Sequence, residues 1–212
     1  MQNAYLCRKF ITNSIVKVKK TIRFTKMHGA GNDYIYLNCM NDCPDNLSAL
    51  AIAMSDRHKG VGSDGLVAIM PSQVADFRMR MFNADGSEGR MCGNGARCVG
   101  KFIYDKHLSD ATEIDLHTLS GVKHLSLHVD AATDTVDRVT VDMGVPDLAV
   151  SSQCATADGS LLSQSVVAVD GKEYVGTFVS MGNPHFVVFV DDSERIALPS
   201  VGPTLEHAAV FP

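Results

Sequence analysis

Three observations predict an α+β fold in which a mixed β-sheet wraps around its helices. Short apolar runs, either continuous or alternating with polar residues, recur along the 212-residue chain and are typical of strands. Only two stretches have the apolar period of a helix. Most segments between these elements are short, so strands that are neighbours in sequence are expected to pair.

The first predicted elements are a strand, a helix and another strand. The apolar run at residues 34–37 predicts a buried strand. A helix is expected at residues 47–58, beginning near Ser48 and stopping before Gly60. A second apolar strand follows at residues 66–70, after the turn GVGSDG.

One helix and four more strands are predicted in the next part of the chain. Phe77, Met79 and Met81 alternate with arginines, as in a half-buried strand that runs into Asn83. The apolar period predicts a helix at residues 96–107. Further alternating segments predict strands at residues 113–118, 123–129 and 138–143.

The composition argues against several classes of function. A formal net charge of -5 and a pI near 5.9 give no basic surface for phosphate backbones, so nucleic acid is not an expected partner. No apolar run approaches the roughly 18 residues of a membrane span, so no membrane contact is expected. The six cysteines are sparse and no secretory signal precedes them, which predicts reduced thiols in a cytoplasmic protein.

The N-terminal residues 1–22 are rich in basic residues, contain no acidic one and lack a secretory apolar core. We interpret them as a disordered extension or an overlong gene start. An organellar transit peptide and an edge strand are the alternatives.

A short repeat predicts two copies of one supersecondary unit. The segments HGAGNDYIYL at residues 28–37 and SMGNPHFVVFV at residues 180–190 both place Gly-Asn ahead of an apolar run. Chance similarity around a Gly-Asn turn is the alternative. Because Cys92 follows Asn32 by about 60 positions, the same spacing in a second copy puts a second cysteine loop beyond residue 212.

The candidate site is the run NADGSEGRMCGNGARC at residues 83–98. Cys92 stands directly before a predicted helix, where unpaired backbone N–H groups favour a thiolate over a thiol. Gly93, Asn94 and Gly95 let the backbone fold closely around an anion such as a substrate carboxylate. A base beside a carboxylate site predicts removal of an α-proton, with N–H donors stabilising the charge that develops.

Other interpretations of these cysteines stay open. Cys92 could be a buried structural thiol, as free cysteines usually are, and we interpret Cys98 as a packing residue of the helix. A zinc site that joins both cysteines to a histidine lacks the usual ligand spacing, so no metal is expected.

Four segments together resemble the diaminopimelate epimerase family: KMHGAGNDYIYLN, DRHKGVGSDGL, FNADGSEGRMCGNGARC and SMGNPHFVVFVDD. The resemblance spans about residues 23–212, in the family's order and spacing. It implies two similar domains, each a mixed sheet wrapped around a central helix, with the active site in the cleft between them. The first domain is expected at residues 23–135, and residues 136–212 are expected to be the first part of an incomplete second domain.

The resemblance also implies a chemistry. The family interconverts LL- and meso-diaminopimelate, on the route to lysine and peptidoglycan, with neither pyridoxal phosphate nor a metal. Two cysteines on opposite faces of the α-carbon act as thiolate base and thiol acid, and members are commonly homodimers. Cys92 matches the first catalytic cysteine, and Gly93 with Asn94 matches the carboxylate-binding backbone beside it.

Four further residues match the family's site. Asn32, Asn83 and Asn183 match asparagines that contact the substrate, and His185 matches a histidine thought to tune the pKa values of the cysteine pair. Each has a plainer interpretation, as a turn residue, a strand terminator or a structural histidine.

This chain departs from the family's pattern in two places. Gly65 stands where some members carry a glutamine after the residue that matches Asp64, which removes one side-chain contact. The second catalytic cysteine and a glutamate–arginine pair for the distal end of the substrate belong beyond Pro212. We therefore expect negligible epimerase activity from the 212-residue chain, and activity from a full-length form. A racemase for another amino acid and a non-catalytic carboxylate-binding module are the alternatives.

Overall fold

The computed structural model describes residues 21–157, 159, 165–169 and 172–211. The extension expected at residues 1–22 therefore lies outside the described residues, apart from its last two positions. The chain divides into two compact units, Met1–Met143 and Gly144–Pro212.

The first unit is built on one mixed sheet of eight strands. These strands are β1 (Thr25–Gly29), β2 (Asn32–Asn38), β3 (Gly65–Met70), β4 (Phe77–Asn83), β5 (Glu88–Gly89), β6 (Glu113–Thr118), β7 (Gly121–Asp130) and β8 (Thr135–Val141). Their order across the sheet is β1-β2-β3-β4-β6-β7-β8, and β5 pairs with β4. The pairs β2/β3 and β4/β6 are parallel and the others are antiparallel.

Each face of this sheet is covered by one helix. α1 (Leu47–Ser55) packs on one face and α2 (Gly93–Asp105) on the other. Tyr34 and Tyr36 of β2 belong to the core around α2, whereas Ile35 between them belongs to the core around α1. Since successive residues of a strand point to opposite faces, a strand buried on both faces is a continuous apolar run.

The central helix of this unit is α2. Its residues Val99 and Ile103, one turn apart, are fully buried. The helix begins at Gly93, ahead of the expected start at residue 96. The apolar pattern could not indicate this earlier start, because the first turn is Gly-Asn-Gly and contains no apolar residue. No helix in the described part of the chain is long and apolar enough to cross a membrane.

The first helix, α1, ends at Ser55 rather than at residue 58 as expected. Asp56 leaves the helical region, and its carboxylate accepts hydrogen bonds of 2.8 and 2.9 Å from the backbone N–H groups of His58 and Lys59. This turn brings Arg57 back to the edge of the sheet at the start of β2 and β3, where it reaches two carboxylates.

The boundary between the units lies after β8. The sequence placed it after residue 135, but β8 pairs with β7 and buries Val136 and Val139 in the core around α2. The first unit therefore runs to Met143.

The second unit contains three strands, β9 (Ser165–Val169), β10 (Lys172–Ser180) and β11 (Pro184–Val187). They form an antiparallel sheet in the order β11-β10-β9. Asp147 adds a bridge to Ser180 through two backbone hydrogen bonds of 2.9 and 2.8 Å. Phe178 and Cys154 are fully buried in this unit. The unit also contains a 3₁₀ turn (Ser193–Arg195) and the helix α3 (Leu198–Glu206).

Candidate active site

Cys92 is the N-cap residue of α2. Its backbone is extended, with φ -140° and ψ 111°, and its Sγ accepts a hydrogen bond from the backbone N–H of Gly95 at 3.3 Å. The side chain is half-buried against the core around α2. The sulfur thus lies at the positive end of a 13-residue helix, where it takes one of the N–H groups that has no partner within the helix.

Asn32 lies within hydrogen-bonding distance of this sulfur. It is the first residue of β2, directly after a two-residue turn in which Ala30 and Gly31 both have positive φ. The Sγ of Cys92 donates to the Oδ1 of Asn32 at 3.4 Å. The end of β1 lies tight against the start of α2, since a Cβ on Gly29 would lie 3.0 Å from the backbone oxygen of Asn94. This packing holds the hairpin against the cysteine.

A charged network holds Asn32 on its other side. The Nδ2 of Asn32 donates to Asp64 at 2.8 Å, and Arg57 donates to the other oxygen of the same carboxylate at 2.9 Å. Arg57 and Lys26 also pair with Asp33, at 2.8 and 2.9 Å. Burial alone raises the pKa of Asp33, but these two cations outweigh it and hold that pKa at about 2.

Asn83 and Tyr34 lie at the same edge of the sheet as Asn32. In the strand register Gly65 is paired with Tyr34 on one side and with Asn83 on the other. The Nδ2 of Asn83 donates to the hydroxyl of Ser87 at 2.9 Å. Burial, followed by the neighbouring sulfur of Cys92, raises the pKa of Tyr34 to about 12, so its hydroxyl is neutral at physiological pH.

Gly93 and Asn94 form the first turn of α2, next to Cys92. The side chain of Asn94 is turned towards the helix, because its Oδ1 accepts a hydrogen bond from Arg97. A Cβ on Gly93 would make only ordinary contact, at 3.5 Å from the sulfur of Met143. The first N–H groups of a helix have no acceptor within it, so this turn offers donors to an anion beside the sulfur.

Asn183 and His185 belong to the second unit. Asn183 lies in the turn between β10 and β11, where its carbonyl accepts a hydrogen bond from the N–H of Met181 at 3.1 Å. Gly182, before it, has a φ of 99°. His185 is exposed on β11 and is paired with Val179.

The structure thus brings Asn32, Gly93, Asn94 and Cys92 into one cluster, with Asn83 at the same sheet edge. Sequence reasoning gave no role to Asp64, Arg57 or Tyr34, although the first two lie in the quoted segment DRHKGVGSDGL. The signal that could have found them is the placement of an acidic and a basic residue around a glycine-rich turn.

A cleft of about 320 Å³ lies between β1, α2 and β8, next to this cluster. Arg97, Lys101 and Arg138 are among the residues that line it, and Cys92 is not. Lys101 is already paired with Asp105 at 2.6 Å, so part of this positive charge is neutralised. We therefore place the candidate site at Cys92 rather than in the cleft.

Comparisons with known proteins agree with the sequence resemblance. A family model described as diaminopimelate epimerase matches residues 24–149. The chain is 53% identical over 192 residues to a diaminopimelate epimerase of Phocaeicola vulgatus, covering 91% of this chain and 68% of that protein. It is 49% identical over 191 residues to one of Acetivibrio thermocellus, covering 90% of this chain and 68% of that protein. The chain thus spans about two thirds of the length of these curated relatives.

Solved structures with low sequence identity share the fold. A hydroxyproline epimerase from Agrobacterium vitis is 13% identical, with a TM-score of 0.56, covering 85% of this chain and 53% of that one. A phenazine biosynthesis protein of the PhzF family from Bacillus anthracis is 19% identical, with a TM-score of 0.52, covering 80% and 56%. The chain spans little more than half the length of these two proteins. The predicted α+β class, with a mixed sheet around a central helix, is confirmed.

Proposed function

The chain belongs to the diaminopimelate epimerase family of enzymes, and on that premise we propose that Cys92 is one of the two acid–base thiols that interconvert LL- and meso-diaminopimelate. One observation carries the proposal. The Sγ of Cys92 lies at the N-terminus of α2, 3.3 Å from the backbone nitrogen of Gly95 and 3.4 Å from the Oδ1 of Asn32. The sulfur that would act as the base therefore lies next to the backbone N–H groups that would bind the substrate carboxylate.

The proposed step is a proton transfer at the α-carbon. The thiolate of Cys92 takes the α-hydrogen, so the C–H bond breaks, an S–H bond forms and the electron pair passes into the adjacent carboxylate. The N–H groups of Gly93 and Asn94 stabilise that growing charge without reorganising. A proton delivered to the opposite face by a second thiol completes the inversion. No cofactor takes part in this scheme.

The other site residues are assigned to substrate contacts. Asn32 and Asn83 stand at one sheet edge and are proposed to bind the amino-acid end of the substrate. Asn183 is proposed to contribute from the second unit, and His185 to adjust the acidity of the cysteine pair. We propose that the full protein acts as a cytoplasmic homodimer in lysine and peptidoglycan synthesis.

The polypeptide of residues 1–212 is proposed to be a poor epimerase by itself. Cys92 serves one face of the α-carbon, and inversion needs a proton donor on the other. Among the described cysteines, Cys98 and Cys154 are buried in cores, and Cys39 and Cys43 lie in and beside the core around α1. The chemistry of inversion therefore requires a second acid that none of these four residues is placed to supply.

The test is conversion of LL-diaminopimelate in D₂O. Meso product is measured by chiral chromatography and α-deuterium by mass spectrometry, with the 212-residue polypeptide beside the Phocaeicola vulgatus relative. We expect the relative to form meso product. The 212-residue polypeptide should form it at less than about a hundredth of that rate, which is the size of effect expected when a general acid is lost. Comparable rates would contradict the proposed inactivity.

The role of Cys92 is tested by alkylation with iodoacetamide. Diaminopimelate should protect Cys92 and leave the labelling of Cys43 unchanged, since Cys43 is half-buried elsewhere. A Cys92→Ser variant should lose the protected label. Protection by proline or histidine instead of diaminopimelate would favour a racemase for another amino acid. Protection without any α-exchange in the longer protein would favour a binding module.

A further inference from the structure

The side-chain amide of Asn32 lies between Asp64 and Cys92, and contacts one of them with each end. Asp64 accepts from its nitrogen at 2.8 Å, and Cys92 donates to its oxygen at 3.4 Å. An ionised carboxylate can only accept hydrogen bonds, so the NH₂ group must face Asp64. The amide oxygen is then the atom that faces the sulfur.

Asp64 is itself fixed by donors other than Asn32. Arg57 donates to one of its oxygens at 2.9 Å, and the backbone N–H of Asp33 donates to the other at 3.0 Å. The backbone N–H of Asp64 donates to the carbonyl of Asp33 at 2.8 Å, which ties the start of β3 to β2. The carboxylate therefore has a set position from which it orients the amide.

We propose that Asp64 is a positioning residue, which turns the oxygen rather than the nitrogen of Asn32 towards Cys92, so that the S–H group can donate to the amide. The inference deepens the proposed function and rests on it for its catalytic meaning. A thiolate next to a carbonyl oxygen loses this hydrogen bond and meets a negative dipole instead. The Asn32 oxygen therefore opposes ionisation of Cys92, whereas the backbone N–H of Gly95 and the hydroxyl of Tyr34 face the same sulfur and favour it.

Removal of the acceptor has a consequence that can be measured. In Asp64→Asn, the new amide can present either its oxygen or its nitrogen, so Asn32 is free to turn its NH₂ group to the sulfur. An N–H donor stabilises a thiolate, which then forms at lower pH and reacts faster with iodoacetamide. Asp64→Glu keeps an acceptor-only group and should restore most of the original behaviour.

The experiment follows the alkylation rate of Cys92 by peptide mass spectrometry from about pH 5 to pH 9. We expect the midpoint of the profile to fall by about one pH unit in Asp64→Asn, with roughly tenfold faster labelling near neutrality. The matched control is Asp33→Asn, which removes the same charge beside Arg57 but leaves the acceptor of the Asn32 amide in place. It should move the midpoint by less than about a third of a unit.

Two results overturn the proposal. One is an unchanged or raised midpoint in folded Asp64→Asn, and the other is an equal fall in Asp33→Asn, which would make the effect one of charge alone. A second measurement covers a variant that does not fold. In the unmodified protein, nuclear Overhauser contacts from the Asn32 NH₂ protons should reach Asp64. Contacts from those protons to the β-protons of Cys92 would reverse the assigned orientation.

These outcomes are separate from the fate of the proposed function. The alkylation profile without substrate tests the orientation of Asn32, whereas protection by diaminopimelate tests the role of Cys92. A correct orientation with no protection would leave the positioning contact standing and remove its catalytic meaning. Protection with an unchanged Asp64→Asn profile would support the role of Cys92 and remove the positioning role of Asp64.

Discussion

The two Gly-Asn hairpins of the chain start from similar sequences and have different surroundings. In the first, the turn has two residues and Asn32 is already part of β2. In the second, Ser180 pairs with Pro184, so Asn183 remains inside a three-residue turn and its carbonyl serves the turn itself. A shared motif places an asparagine at a hairpin, but it fixes neither the position of that residue relative to the turn nor the contacts of its side chain.

The strands after the two asparagines also differ in burial. Tyr34 to Leu37 are all buried, because β2 lies between two other strands and has a helix on each face. On β11 three of the four residues are exposed, namely Pro184, His185 and Val187. The first hairpin is therefore preorganised by packing on both faces and by charges. The second is less buried and is held, in the described residues, by strand pairing, by the bridge to Asp147 and by the contact of Phe186 with Phe211.

The largest expected effect comes from adding a side chain at Gly65, where there is no room for one beside the first hairpin. A Cβ on Gly65 would lie 2.1 Å from the backbone oxygen of Phe82 and 2.8 Å from the ring of Tyr34. Since a backbone oxygen cannot move aside cheaply, Gly65→Ala should lower the free energy of unfolding by about 3 kcal/mol. This crowding also explains physically why a glutamine does not fit here without a shift of β4.

The comparison with the second hairpin is made by Gly176→Ala. A Cβ there would lie 2.6 Å from the ring of Phe186, a side chain that can turn, and 2.8 Å from the carbonyl of Val187. We expect a loss of about 1 kcal/mol. Gly202→Ala is the control without a clash, and because this glycine lies within α3 it should raise the stability, by up to about 1 kcal/mol. Urea unfolding measures all three, and an equal loss for Gly65 and Gly176 would remove the difference in preorganisation.

A smaller effect is expected on ligand binding from the two asparagines. If Asn32 and Asn183 both contact the substrate, removing the amide that is already oriented should weaken binding more, because that amide loses less entropy on binding. Asn32→Ala should raise the diaminopimelate concentration that half-protects Cys92 by about tenfold, and Asn183→Ala by about threefold. Both are measured in the longer protein by competition with iodoacetamide. The reverse order would show that the second hairpin carries the main contact.

Most of the first unit could be predicted from its sequence. The strands at residues 66–70, 77–83 and 113–118 are confirmed almost to the residue, because apolar alternation and buried runs report burial directly. The resemblance to diaminopimelate epimerases is also confirmed. The start of α1 at Leu47 is also confirmed, but its end and the start of α2 were less well predicted, since Asp56 and Gly93 act through backbone geometry rather than through an apolar pattern.

The network behind Asn32 could not be predicted in the same way. Asp64 follows Asn32 by 32 positions, and only the parallel register of β2 with β3 brings their side chains to 2.8 Å. Arg57 reaches them because α1 ends three residues early. The sequence marks such residues as polar and near a glycine-rich turn, but their pairing is a property of the folded sheet.

The smallest effect concerns the charges of the first hairpin. The pKa of Asp33 is lowered from 3.8 to about 2, and a carboxyl group with a lowered pKa stabilises the fold above its unfolded pKa. Asp33→Asn should therefore cost about 1 kcal/mol at neutral pH, a modest value because Arg57 is 55% exposed and its charge is screened by water. The difference between variant and original should disappear as the pH falls from about 4 to about 2.

Asp192→Asn is the matched control in the second unit, where Arg195 is 86% exposed, and it should change nothing measurable at either pH. Urea unfolding at neutral pH and below pH 3 decides between them, and a cost for Asp33→Asn that persisted in acid would mean that its hydrogen bonds, rather than its charge, stabilise the hairpin.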